Sequence, residues 1–261
     1  MRWFTNNHSL PFLVKMELDR IDYSIITPAE ARLLQERYKG LVRAESHIDP
    51  SAIRIVAGTD ISYLREEQLA IGVATVFTFP ELEPLEEKAS IAQVNFPYIP
   101  GLLSFREIPA LLPAIKSLES SPQLFLVDGQ GIAHPRSFGL ACHLGILLNR
   151  PTIGCAKSRL LGFSEEPGSQ RGSWSFLLHD GAVIGAVLRT RTGVKPLYIS
   201  VGHLVTLQES IEIVLACTRR FRIPEPQRCA HQLTARLKSV FREGGMPELK
   251  RAVEKINYPC R

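Results

Sequence analysis

The 261-residue sequence predicts a mixed α/β protein with one central sheet flanked by helices. Three observations carry this expectation. Three β-rich runs follow one another between residues 53 and 95 with short links, the pattern of an antiparallel meander. From residue 103 onward, helical and β-rich segments alternate. No internal repeat, low-complexity tract or linker divides the chain, so a single domain is expected over residues 27–243. Residues 1–26 read as an irregular N-terminal extension and 244–261 as a basic C-terminal tail.

Taken in order, Thr27-Pro-Ala-Glu30 is a capping box with proline at the first helical position. The helix it opens should run to about Ala44. Ile53 to Tyr63, Leu69 to Phe79 and Lys88 to Asn95 are the three meander strands, the last two joined by a Pro80–Pro84 turn. Phe96-Pro-Tyr-Ile-Pro-Gly101 is a stiff loop. Leu103 to Leu118 has helical spacing, but Pro109 and Pro113 leave it either kinked or uncertain at its start. Leu124 to Val127 is a buried strand, and a helix follows from Arg136 or Ser137 to Asn149. Thr152–Ala156, Ala182–Arg189 and Pro196–Val201 are further strands. Leu207–Phe221 and Pro226 to about Arg242 are the last helices.

Composition bounds the function. No apolar run approaches eighteen residues, so no membrane span and no membrane partner are expected. Leu10-Pro-Phe-Leu-Val14 is too short for a secretory leader. Five cysteines without a C-x-x-C pair point away from disulfides and zinc and towards a reducing cytoplasm. The net charge of +5 is concentrated: Cys217 to Arg261 holds 11 Lys or Arg against 4 Asp or Glu. Such a basic third suits either a solvated surface or a polyanion such as nucleic acid.

Candidate chemistry starts with the acids. Asp128 ends the Leu124–Val127 strand and is followed by Gly129 and Gly131. It is either a turn former or a site carboxylate whose glycines admit a ligand. Asp60 lies inside an apolar strand and needs a cation, or a bulge at Gly58 that turns it outward. Glu107 closes Ser104-Phe-Arg-Glu107, so it is either a capping residue or a third acid. Lys157 follows the Ile153–Ala156 run and could steady a phosphate. His134, His203 and His231 are ambiguous between packing and chemistry. The Gly129-Gln-Gly131 run fails as a dinucleotide fingerprint because His134 stands where the third glycine belongs. Two strand carboxylates, a third acid and a basic body suit phosphodiester hydrolysis assisted by Mg²⁺, which prefers oxygen ligands.

Six segments then become specific in combination: Val56-Ala-Gly-Thr-Asp60, Pro97-Tyr-Ile-Pro-Gly-Leu-Leu-Ser-Phe-Arg-Glu107, Asp128-Gly-Gln-Gly-Ile-Ala-His-Pro135, Thr152-Ile-Gly-Cys-Ala-Lys-Ser158, Tyr198-Ile-Ser-Val-Gly-His203 and Arg222-Ile-Pro-Glu-Pro226. In this order, over residues 50 to 235, they closely resemble the endonuclease V family of deoxyinosine 3′ endonucleases. The resemblance implies a ribonuclease H-like fold and a Mg²⁺ cofactor, with Mn²⁺ as a substitute. It puts Asp60, Glu107 and Asp128 on the metal-binding positions and Lys157 and His231 on further active-site positions. Tyr98 matches the wedge that fills the space of an everted base, on a loop with Pro97, Ile99 and Pro100. Gly101, Leu103, Gly129, His134 and Gly139 fall on the segments that receive hypoxanthine. The implied reaction nicks DNA at the second phosphodiester 3′ to deoxyinosine and leaves a 5′-phosphate, with the protein acting as a monomer.

Three rivals remain at this level. Inosine-containing RNA could be the substrate of the same fold, although the Pro97–Pro100 sequence leans towards DNA. A non-cleaving binder of altered bases would not need the full set of acids. A nicotinamide-dependent oxidoreductase is disfavoured by the failed glycine fingerprint.

Overall fold

The computed structural model describes residues 17–18, 21–46 and 48–257. The Leu10–Val14 run and most of the N-terminal extension lie outside the described residues. Among the described residues, eight strands form one mixed sheet in the order β3-β2-β1-β4-β5-β8-β7-β6. β1 (Ile55–Leu64), β2 (Leu69–Thr78) and β3 (Pro84–Gln93) make the expected antiparallel meander. β4 (Leu124–Val127) and β5 (Thr152–Ala156) extend it in parallel from β1. β8 (Leu197–His203), β7 (Ala182–Leu188) and β6 (Trp174–His179) complete it as antiparallel neighbours.

Helices cover both faces. α1 (Pro28–Tyr38) begins at the Thr27 capping box, which is present in full, and stops earlier than Ala44. α2 (Leu103–Lys116) and α3 (Leu140–Leu148) pack on the face that carries Ala57, Phe125 and Val127. α4 (Leu207–Ala216) packs against Val56, Leu124 and Leu126 on the opposite face. α5 (Glu225–Asn257) continues that layer over Ile71 and Val73. The alternation along β4 therefore feeds two cores at once, as a strand buried on both faces must.

Several expectations need correction. α2 runs through Pro109 and Pro113, and its cap residue is Leu102 without a side-chain hydrogen bond. Ser104 is not a cap: its Oγ lies 3.1 Å from His143 Nδ1. Glu107 is thus free of the capping role. α3 starts at Leu140 rather than at Arg136, because Ser137 takes φ +50° and buried Phe138 turns into the core. α4 ends at Ala216, short of Phe221. β6 is a strand the sequence reading lacked. The segment set apart as a tail continues α5 past a break at Gly245 (φ +67°). Leu249 and Val253 are buried there, and Lys88 Nζ donates to Asn257 O at 2.7 Å.

Gly58 is not a bulge: β1 and β2 pair without a register shift from Ile55 to Leu64. Its missing side chain admits the start of α5, since a Cβ there would lie 2.3 Å from the Pro226 carbonyl carbon. Gly58→Ala is expected to cost about 1–3 kcal/mol of stability by overpacking. A thermal melt checks this; an unchanged melting temperature would contradict the close approach.

Candidate active site

β1 and β4 run parallel with Thr59 opposite Val127. The next residues are Asp60 and Asp128, so the register sets the two carboxylates side by side. β4 stops at Val127 while β1 continues, which opens the sheet beyond them. Asp60 shares the face of Val56 and meets α5, where Thr234 Oγ1 donates to Asp60 Oδ2 at 2.6 Å and His231 Nδ1 lies 3.3 Å away. Glu107 arrives from α2 on the opposite face, and Tyr63 Oη donates to its Oε1 at 3.2 Å. Lys157, one residue past β5, forms an ion pair with Asp128.

The electrostatics are those of an acid cluster short of positive charge. Burial pushes Asp60 up to about 6, with Thr234 opposing and Asp128 adding to the rise. Burial also pushes Glu107 up to about 8, with Tyr63 opposing and both aspartates adding. Among the described residues, no three His, Cys, Asp or Glu side chains form a preassembled metal cage. The donor set still fits Mg²⁺, which keeps several waters and is commonly held by one or two carboxylates. Asp60 and Asp128 would hold such an ion, with Glu107 next to it.

A cavity of about 450 Å³ opens beside the carboxylates. Its lining includes Asp60, Glu107, Asp128 and Lys157 together with Tyr98, Ile99, Pro100, Gly101, Leu103, Gly129, His134 and Gly139. Asp128 and Gly129 thus bring the acid cluster and the cavity wall together in one loop. Pro97 and His231 lie outside the lining, and His231 touches the cluster only through Asp60. Among the described residues, cavity-lining Thr59 Oγ1 and Gln130 Oε1 are buried without a hydrogen-bond partner. Polar atoms left this way are costly unless a ligand meets them.

Sequence reasoning missed Gln35 and Arg136 as groups that hold the site together, and it missed the anchoring roles of His134 and Arg222. The Gly101 carbonyl accepts from Gln35 Nε2 at 2.9 Å and Arg136 Nη2 at 2.6 Å. His134 Nε2 is 3.0 Å from the same oxygen, and its Nδ1 accepts the Arg136 N–H at 3.2 Å. A carbonyl only accepts, so the His134 proton sits on Nε2. Burial, aided by the Arg136 charge, lowers His134 to about 4, which keeps the ring neutral at pH 7. His134 therefore anchors the Tyr98 loop as well as lining the cavity. Arg222 Nη2 donates to Lys157 O at 2.8 Å and to Pro196 O at 2.7 Å, fixing the loop that carries Lys157. No local signal marks these partners, because Gln35 and Gly101 are 66 positions apart and Arg222 and Lys157 are 65 apart.

A sequence model of endonuclease V matches residues 36–232. The chain belongs to the endonuclease V family. Endonuclease V of a Nostoc species is 46% identical over 210 residues, covering 80% of this chain and 95% of the relative. That of Roseiflexus castenholzii is 48% identical over 206 residues, covering 79% and 91%. Among solved structures, endonuclease V from Streptomyces avermitilis superposes with a TM-score of 0.79 at 41% identity, covering 83% of this chain and 95% of its own. The Ciona intestinalis endonuclease V bound to a 24mer DNA containing an inosine followed by a ribo-adenosine gives a TM-score of 0.72 at 29% identity, covering 81% and 98%. The endonuclease V likeness gives the ribonuclease H-like fold and a nuclease activity. Membership in the endonuclease V family removes the oxidoreductase reading.

Proposed function

We propose that this chain is a Mg²⁺-dependent endonuclease that recognises deoxyinosine in DNA and hydrolyses the second phosphodiester bond 3′ to it. The observation that carries the reading is the pairing of Asp60 with Asp128 in the wall of the cavity that also holds Gly101, Gly129 and Lys157. The relative bound to inosine-containing DNA supports the substrate class. A divalent ion bound at the acids would polarise the phosphate and make water a competent nucleophile.

The chain's own residues have complementary roles in this reading. Asp60 and Asp128 concentrate negative charge where the ion belongs, and Thr234 orients Asp60 through Oδ2. Glu107, buried and raised to about 8, can hold or release a proton near neutrality. Lys157 places an ammonium beside Asp128, where charge builds on the phosphate. The cavity volume of about 450 Å³ admits a purine base. Base extrusion is least costly at mispairs, which favours a deaminated adenine. Tyr98, 73% exposed beside the cavity, is placed to stack where the base was.

Chelation should abolish nicking, and Mg²⁺ or Mn²⁺ should restore it; nicking that survives exhaustive chelation would contradict the reading. Competition between labelled deoxyinosine DNA and inosine RNA tests the substrate, with DNA expected to win.

The raised acids also make a pH prediction. A folded-state pKa above the unfolded value stabilises the fold below the unfolded value, and that stability is lost as pH rises through the folded one. Asp60 rises from 3.8 to about 6 and Glu107 from 4.5 to about 8. Without divalent metal, their contribution should therefore fall between pH 4 and 8. Mg²⁺ should flatten that fall and release protons on binding. Calorimetry in buffers of different ionisation enthalpy reads the proton release, and its absence would contradict an ion on these acids.

A further inference from the structure

We propose that the face of α5 leading away from Asp60 is a phosphate track for nucleic acid, with Lys238 and Arg242 as its contacts. The proposal rests on the nuclease reading above and adds a surface to it. α5 first brings His231 to Asp60. Positions seven and eleven residues further on return to nearly the same direction on an α-helix. They are Lys238 and Arg242, with Ala235 on the same face between His231 and Lys238. His231, Ala235 and Arg242 are exposed and Lys238 is half-buried. At about 1.5 Å per residue the stripe reaches roughly 16 Å from His231. Projected on the axis of a B-form duplex, that is about five base-pair rises of ~3.4 Å each.

The neighbouring arginines are already committed to acids. Arg228 pairs with Glu225 at 2.6 Å, Arg236 with Glu87 at 3.1 Å and Arg251 with Glu248 at 2.6 Å. Among the described residues, the side chains of Lys238 and Arg242 have neither a hydrogen bond nor an ion pair. Glu243, next to Arg242, accepts instead from Ser239 Oγ at 2.9 Å. The cavity lies on the other side of the acids, for no α5 residue lines it. A strand seated in the cavity and crossing Asp60 therefore meets α5 next. Two unpaired cations in line with the reacting centre suit a polyanion, and the small Ala235 leaves room for its backbone.

The test uses the full chain with Lys238→Ala and Arg242→Ala combined, and Arg251→Ala as a control that removes an exposed cation of the same helix already paired with Glu248. Fluorescence anisotropy with an undamaged duplex needs no cleavage, so its result stands whether or not the nuclease reading survives. The double variant should bind about tenfold more weakly at ~0.1 M salt, with a salt slope shallower by about 1.8, the value for two lost phosphate contacts. The control should match the parent. On deoxyinosine duplexes trimmed to about two nucleotides past the cleavage site, too short to reach Arg242, the deficit in kcat/KM should shrink to within about twofold. Unchanged DNA binding, as a solvated face or an acidic protein partner would give, overturns the track. So does an equal deficit on long and trimmed duplexes.

Discussion

Asp128→Asn is expected to lower nicking of a deoxyinosine duplex at least about a thousandfold, in line with the loss of several kcal/mol of charge stabilisation at a metal site. Lesion binding should stay within about threefold of the parent, because a lost carboxylate removes repulsion towards phosphate while the cavity walls remain. The asymmetry follows from position. Asp128 sits at the open end of β4, next to Asp60, and its ion pair with Lys157 is partly solvated. The amide is nearly isosteric, so the Leu124–Val127 strand keeps its packing. Single-turnover nicking and anisotropy read the two effects separately. Undiminished cleavage by the variant with Mg²⁺ would remove Asp128 from the chemistry.

Tyr98→Ala should weaken binding to deoxyinosine sites about 5- to 100-fold, the range for losing one base–aromatic stack. Binding to undamaged duplex should fall much less, since no base is extruded there. The ring is 73% exposed and makes no core of its own, so its loss should leave the melting temperature unchanged. The loop that presents it is preorganised: Pro97 and Pro100 restrict the backbone, and three side chains grip the Gly101 carbonyl. Equal losses on damaged and undamaged DNA would remove the wedge role.

The strands that carry the acids were legible because burial on both faces leaves an unmistakable mark. Leu124–Val127 and Thr152–Ala156 are short apolar runs between glycines, prolines and charges, and both strands form where expected. Asp60 stood out as a carboxylate where the pattern demanded an apolar residue. β6 escaped notice because it lies at the sheet edge, alternates imperfectly and shifts register between Leu177 and Leu178. α5 outruns its expected end near Arg242 because the chain breaks at Gly245 and then resumes helix, with Leu249 filling the core beside Leu237. The convergence of Asp60, Glu107 and Asp128 was permitted by the sequence rather than required by it. The parallel register of β1 with β4 and the absence of a cap at Ser104 are tertiary facts. Contacts such as Thr234 to Asp60 and Tyr63 to Glu107 join residues far apart in the chain and leave no local trace.

Acting on one strand, the paired aspartates and the adjoining cavity would let a base held in the cavity fix where the backbone is cut. Nicking of a duplex with a single deoxyinosine, mapped to the nucleotide with and without Mg²⁺, tests this most directly. One Mg²⁺-dependent break is expected at the second phosphodiester 3′ to the deoxyinosine, with a 5′-phosphate on the downstream fragment. Breaks scattered along the duplex, or none with either Mg²⁺ or Mn²⁺, would contradict it.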